Sequence, residues 1–309
     1  MYVSAEAAPA EPAARREPDQ ARLWFDGALV DADAPQLPLT AHALHYGSGV
    51  FEGIRAYATA DGGSAVFRLP EHLARMRRGC ELLGIAFDVA VATDATLAVL
   101  CANREALGQR DAYVRPLAWC GSGTIGLDVG PQPKHLMVAT FATAVHLAGT
   151  AVKLGVSSWR RNPASSLPPL KLCGGYVNSI LAKHEARARG FDEALFVDAD
   201  GRVVECTGAN VFAVHGDSIT AVEHPDALAG ITRDTLRQLT GAASRAMSLD
   251  ELIDADEVFV CGTAAEVTPI ASLDGRAYRS SRIGTELAHA YRRVVRGEDR
   301  AHAHWLTHV

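Results

Sequence analysis

The second half of the chain sets the tightest limits on its fold. Short apolar runs that read as strands, at 152–158, 194–198, 202–205, 210–214 and 257–261, alternate there with helical runs at 175–189, 231–240, 249–254 and 282–296. Asp198-Ala199-Asp200-Gly201 is a strong turn signal between two of those strands, because Asp and Gly accept the backbone angles of a tight reversal. The first half, from Leu23 to about His146, mixes short strands with one clear helical stretch. Asp26-Gly27 marks the turn of a hairpin over 23–30. Residues 66–69 form a strand, and Pro70 then opens a helix in which Leu73, Met76, Cys80 and Leu83 recur at helical spacing. Runs at 112–117 and 136–141 are further strands, so this half is α+β.

With 309 residues and 48% hydrophobic content, the chain is long enough for two compact domains with cores of their own. The expected division is a disordered tail over 1–20, a smaller domain over 21–146, a linker at 147–152 and a larger domain over 153–309. The tail is rich in Ala, Pro and Glu and lacks the apolar core of a signal peptide. The 6 cysteines carry no C-x-x-C pair, which favours a reduced, cytoplasmic setting. Cys173 and Cys206 read as small apolar packing. A net charge of −6 gives no footprint for nucleic acid, and no apolar run is long enough to cross a bilayer. His302, His304 and His308 lack an acidic or cysteine partner at metal-site spacing. They read as a frayed terminal segment, and no metal is expected.

Lysine is scarce, occurring only at 134, 153, 171 and 183. Lys134 lies among prolines and Lys183 in a charged helical run, and both read as solvated surface. Lys153 sits on the polar face of an alternating strand. Lys171 alone is followed by a glycine pair and a helix start built of small residues, where a ligand could approach the backbone. Glu205 lies in an otherwise apolar strand before Cys206-Thr207-Gly208, and a buried carboxylate needs a cationic partner. A lysine amine can hold pyridoxal phosphate as a Schiff base, and an acidic group can keep its pyridine nitrogen protonated. Lys171 and Glu205 supply that pair. Gly230, Ile231 and Thr232 open a helix whose first amides and hydroxyl can hold an anion. Thr263 offers a second hydroxyl after a strand. Tyr113 and Arg115 share one face of a strand, where an arginine suits a carboxylate.

The motifs His42-Ala43-Leu44-His45-Tyr46-Gly47-Ser48-Gly49-Val50-Phe51-Glu52-Gly53-Ile54-Arg55, those around Lys171 and Glu205, Leu228-Ala229-Gly230-Ile231-Thr232-Arg233 and Cys261-Gly262-Thr263-Ala264-Ala265-Glu266 together resemble the branched-chain amino acid aminotransferases. The resemblance runs from about residue 22 to about 298. It implies the two-domain fold-type IV architecture of the D-amino acid aminotransferase type, α+β overall, with strands of the larger domain wrapped around the site. It also implies that pyridoxal 5′-phosphate is held by Lys171 as the Schiff-base and catalytic lysine. Tyr176 would bond the cofactor's phenolic oxygen and Glu205 its pyridinium. Arg68, Gly230, Ile231, Thr232 and Thr263 would hold its phosphate. Substrate would meet Tyr46, Phe51, Gly53, Tyr113 and Arg115, with the amides of Ala264 and Ala265 on its carboxylate. Tyr46, Gly53, Arg55 and Arg115 together form the branched-chain pattern. The implied reaction is ping-pong transamination between an L-amino acid and a 2-oxo acid such as 2-oxoglutarate, in a homodimer.

Two departures bear on substrate. The 141–149 segment is about four residues short and lacks the tryptophan and tyrosine usual before the interdomain loop, which leaves His146 either a substrate contact or a structural residue. Ala209 stands where many relatives carry an acidic residue. Three alternatives remain beside the branched-chain reading: a same-fold 4-amino-4-deoxychorismate lyase, a transaminase with a substrate of specialised metabolism, and a non-catalytic or regulatory cofactor-binding protein.

Overall fold

The computed structural model describes residues 22–108, 110–143 and 152–309. The expected tail, most of the 147–152 linker and His146 lie outside the described residues; Val152 already belongs to a strand. One sheet is built from β1 (Arg22–Phe25), β2 (Ala28–Asp31), β3 (Gly49–Phe51), β4 (Ile54–Ala58), β5 (Ser64–Phe67), β6 (Ala112–Cys120) and β7 (Lys134–Ala142). A second uses β8 (Val152–Val156), β9 (Glu193–Val197), β10 (Val203–Cys206), β11 (Asn210–His215), β12 (Ser218–Val222), β13 (Ala243–Arg245), β14 (Glu257–Gly262), β15 (Glu266–Leu273) and β16 (Arg276–Ala277). Then β17 (Leu306–His308) returns to the first sheet, antiparallel to β5, with Leu306 opposite Phe67. The first sheet runs β17-β5-β4-β6-β7-β1-β2, with β3 also on β6; the second runs β10-β9-β8-β15-β14-β11-β12-β13, with β16 on β15.

The helices are α1 (His42–Tyr46), α2 (Leu69–Leu82), α3 (Val89–Ala102), α4 (Arg104–Leu107), α5 (Tyr176–Ala188), α6 (Ile231–Thr240), α7 (Leu249–Ile253) and α8 (Arg282–Val295). Their ends follow local chemistry. Pro70 sits in the first turn of α2, where its missing N–H costs nothing. The Asp88 carboxylate accepts from the amides of Ala90 and Val91 to start α3, and Ser248 and Glu251 form a capping box on α7. The first half thus holds a second long helix, α3, beyond the single one expected; its apolar residues run almost all round the helix and hide the period. None of these helices is long and apolar enough to cross a membrane.

One apolar cluster builds the first half, and two more join it to the second. Leu69, Leu73 and Val99 pack α2 and α3 on Ile54 and Val114 of the first sheet. Tyr57 and Phe67 of that sheet join Phe212, Phe259, Tyr291 and Trp305 in a cluster that spans both sheets. Val50, Met76 and Cys120 meet Leu172, so the segment bearing Lys171 is pinned to the first sheet.

The terminal segment around His302, His304 and His308 is ordered rather than frayed. Asp299 caps a 3-10 turn over Arg300–Trp305. Trp305 is buried, 6.1 Å from Phe67 ring to ring, and burial of an indole of that size outweighs the local signal of three histidines. Two of the other lysines also differ from the solvated reading. Lys183 donates to the buried Glu193 carboxylate at 2.7 Å, and Lys134 donates to the Gln132 carbonyl at 2.6 Å. Lys153 is exposed as expected.

Candidate active site

Backbone pairing between the two halves brings Lys171 to its place. The Phe51 amide donates to the Lys171 carbonyl at 3.1 Å, and the Gly174 amide to the Gly47 carbonyl at 3.2 Å. A 3-10 turn over Cys173–Gly175 then leads into α5, whose first residue is Tyr176. The five-residue offset lets Lys171 Nζ donate to Tyr176 Oη at 3.0 Å. The Phe51 ring lies 4.7 Å from that of Tyr176, and Lys171 Nζ stands 5.3 Å from the Phe51 ring centre.

Glu205 lies on β10, where the pairing with β9 is irregular between Val203 and Cys206. Its carboxylate is buried and accepts from the Leu228 amide at 3.0 Å and from Asn210 Nδ2 at 3.3 Å. Arg161 Nε is 3.0 Å from the other oxygen. Burial pushes the Glu205 carboxyl above its ordinary range, against the opposing pull of Arg161, the Leu228 amide and Lys171. This carboxylate has fewer cations than its burial calls for.

Gly230 precedes α6 with an extended backbone. A Cβ there would lie 1.8 Å from Asn210 Oδ1, so only glycine lets Asn210 reach across to both Glu205 and the Leu228 carbonyl. Thr263 and Ala264 line the same cleft after β14, as do Gly53 and Tyr113 from the first sheet. A Cβ on Gly53 would meet Tyr113 Oη at 2.0 Å, which makes glycine a steric requirement of the cleft wall. Arg115 Nη2 donates to that Tyr113 hydroxyl at 2.8 Å, and its Cζ stacks 4.7 Å over the Phe51 ring. Ile231, Thr232 and Ala265 are buried immediately beside these lining residues in sequence. Ala209, also in the cleft lining, is buried in the apolar core of the second sheet.

Three expected residues stand elsewhere. Arg68 does not line the cleft: its guanidinium donates to Glu71 at 2.7 Å, to Asp234 at 2.7 Å and to Thr235 at 3.2 Å, and packs 5.2 Å over Trp305. Those acceptors, together with the left-handed backbone that starts α2 at Arg68, turn it to the side of α6 and away from the cleft. Tyr46 is 44% exposed and packs on His42. Arg55 is buried in an ion pair with Glu266. Conversely, Arg75, Arg161, Thr207 and Asn210 line the cleft without having been singled out. For Arg75 a signal existed: it follows His72 at helical spacing on the face that carries Met76 and Cys80, so a charge was being turned inward. Arg161 shares a loop with Arg160, and nothing in the sequence separates the two.

The donor set fits pyridoxal 5′-phosphate. An amine stands beside a phenol, a carboxylate pushed up by burial has a single arginine contact, and a helix N-terminus opens beside Thr263 and Arg75. Comparison with known proteins agrees. The profile of the amino-transferase class IV family matches residues 49–273. The branched-chain-amino-acid aminotransferase of Pseudomonas aeruginosa is 36% identical, over 93% of this chain and 97% of its own length. The crystal structure of the T.th. branched-chain amino acid aminotransferase, complexed with N-(5′-phosphopyridoxyl)-L-glutamate, superposes with a TM-score of 0.88 at 39% identity, covering 94% of this chain and 99% of that one. The branched-chain aminotransferase from Thermoproteus uzoniensis with norvaline gives 0.87 at 36% identity, covering 93% and 98%. The chain belongs to the class IV amino-transferases and is a pyridoxal 5′-phosphate-dependent transaminase.

Proposed function

We propose that this transaminase moves the amino group between branched-chain L-amino acids and a 2-oxo acid such as 2-oxoglutarate, in two half-reactions that alternate on one site. The observation that carries the substrate class is Arg115. Its guanidinium carbon stands 4.7 Å over the Phe51 ring, its Nη2 donates to the Tyr113 hydroxyl, and its buried Nε has no partner among the described residues. An apolar ring with a carboxylate-seeking cation on its face suits a site that takes a branched apolar side chain in one half-reaction and a dicarboxylate in the other. The names of the relatives point the same way.

In this reading Lys171 would hold the cofactor, and its free amine would take the proton from the substrate Cα. Tyr176 keeps the lysine amine aimed and bonds the phenolic oxygen. Glu205 keeps the pyridine nitrogen protonated, and gains from that nitrogen the cation its burial calls for. Gly230, Ile231, Thr232 and Thr263 supply phosphate donors, and Arg75, in place of Arg68, supplies the arginine. Phe51, Gly53 and Tyr113 bound the substrate side chain, and the Ala264 and Ala265 amides take its carboxylate. Bound there, pyridoxal phosphate supplies the electron sink that spreads the charge left on Cα.

A homodimer in the cytoplasm is part of the same proposal. An apolar groove lined by Leu23, Phe25, Leu37, Leu44, Trp119 and Met137, with Leu39 and Leu127 more than four-fifths exposed at 86% and 82%, suits a second copy of the chain. Light scattering on the purified protein checks it, a monomeric mass counting against it. A domain division near 147–152 accords with the two sheets except for β17, which returns to the first, and limited proteolysis near that boundary tests it.

The deciding experiment for substrate is the absorbance spectrum of the holoenzyme with L-leucine, L-isoleucine, L-valine or L-glutamate added in turn. The near-visible band is expected to move to shorter wavelength with each. A band that none of them moves, or pyruvate released without an oxo-acid acceptor, would sink the branched-chain reading.

A further inference from the structure

Arg75 enters the cleft from α2 with most of its fork already committed. Nε and Nη2 donate to the two oxygens of Glu52 at 2.7 and 2.9 Å, and Nη1 donates to the Ala229 carbonyl at 2.9 Å. Glu52 is completely buried, and one of its oxygens also accepts from His72 Nδ1 at 2.9 Å and from the Gly53 amide at 3.2 Å. Burial opposes the charge on Glu52, yet Arg75 and His72 hold the carboxyl far below its ordinary range, so it is ionised. Its neighbours in sequence, Phe51 and Gly53, are the residues that wall the substrate side of the cleft.

An arginine presents its N–H groups in one rigid plane, so fixing one edge of the fork fixes the other. Glu52 occupies the Nε/Nη2 edge. The remaining N–H groups are left on the side of Ala229 and Gly230, where α6 begins. We propose that Glu52 is a positioning residue that aims Arg75 at the cofactor phosphate and, through the Gly53 amide, ties that grip to the wall formed by Phe51 and Gly53. This rests on the reading of Arg75 as the phosphate-binding arginine.

The test compares two ligands that differ only in the phosphate. The full-length chain, stripped of cofactor, is titrated with pyridoxal 5′-phosphate and with pyridoxal, as wild type, Glu52→Gln and Arg75→Lys. Glu52→Gln is expected to weaken pyridoxal 5′-phosphate by about tenfold to a hundredfold, the usual range for removing an outer group that orients a direct ligand, and to leave pyridoxal unchanged. Inorganic phosphate should compete less well with pyridoxal 5′-phosphate in the variant than in wild type. If Glu52→Gln weakens both ligands alike, its role is general support and the proposal is overturned. If Arg75→Lys loses phosphate-dependent affinity and Glu52→Gln does not, the proposal falls while the Arg75 reading stands. If neither variant loses it, both fall. Should Glu52→Gln fail to fold, Glu52→Asp, which keeps the charge and shortens its reach, is read by the same ratio.

Discussion

Glu52 and Glu205 are both buried carboxylates beside an arginine, but their surroundings shift them in opposite directions. Glu52 takes two bonds from Arg75, one from His72 and one from a backbone amide, and its carboxyl is held down. Glu205 has one ion-pair contact with Arg161 and two neutral donors, and its carboxyl is pushed up. A carboxylate saturated by protein groups has nothing left to offer a ligand and serves the framework. One left short of positive charge attracts a further cation, and a protonated pyridine nitrogen answers that need. Fold and chemistry thus use the same residue type, and the number of hydrogen bonds each carboxylate takes from its arginine separates them.

The sharpest way to test that division removes the reacting amine between them. Lys171→Ala should lower turnover by about 10⁴-fold or more, while equilibrium dialysis still finds cofactor bound through Glu205 and the phosphate cradle. Loss of cofactor together with turnover would break the separation of binding from chemistry. Next, Glu205→Gln should lower kcat by about 10²–10³-fold, as for other preorganised electrostatic groups, with the cofactor-free protein no less stable to urea. Glu52→Gln should show the reverse emphasis, losing about 3–5 kcal/mol of cofactor-free stability because a buried guanidinium is left unpaired. Equal destabilisation by the two substitutions would erase the contrast.

The two carboxylates should also part with pH. The raised Glu205 group favours the folded state most fully below the ordinary carboxylate pKa, and that contribution is lost as pH rises through its folded value. The lowered Glu52 group contributes above the ordinary value, and its contribution is lost as pH falls toward its folded value. Cofactor-free wild type should therefore gain stability relative to Glu52→Gln as pH rises toward the ordinary carboxylate range from below, and lose it relative to Glu205→Gln as pH rises above that range. The slope within each window is about 1.4 kcal/mol per pH unit. Parallel curves would contradict this. The smallest effect belongs to Gly53→Ala, where the added Cβ meets Tyr113 Oη at 2.0 Å. It should cost about 1–3 kcal/mol of overpacking and raise KM for leucine more than it weakens the cofactor, as read from steady-state kinetics beside a cofactor titration.

Lys171 and Glu205 were legible in the sequence for a physical reason: each is a charged residue where burial demands a partner, one among only four lysines and the other inside an apolar strand. The helices α2, α5, α6 and α8 were legible from their period and the chemistry of their starts. Arg68 misled because the resemblance set the phosphate arginine on it, whereas its acceptors on α6 hold it away from the cleft. The inward turn of Arg75 was written in its spacing from His72 and Met76, but its partner Glu52 lies on a different element, and no local pattern joins the two. β15 went unread because Pro269 interrupts it. In the fold Pro269 pairs opposite Phe259, in a strand that the sequence rule for proline argues against.

β5 leaves the ribosome early, yet the neighbour that covers its outer edge, β17, is made only after the whole second sheet and α8. Until Leu306 reaches Phe67 the first sheet has an open edge, and an unpaired edge is a template for strands of other chains. Contacts this distant along a chain also form slowly. Trp305, edge-to-face with Phe67 and beneath the Arg68 guanidinium, is thus a late latch on a half-finished sheet. Deleting residues 306–308 is expected to make refolding more prone to aggregation as protein concentration rises, although none of the deleted side chains lines the cleft.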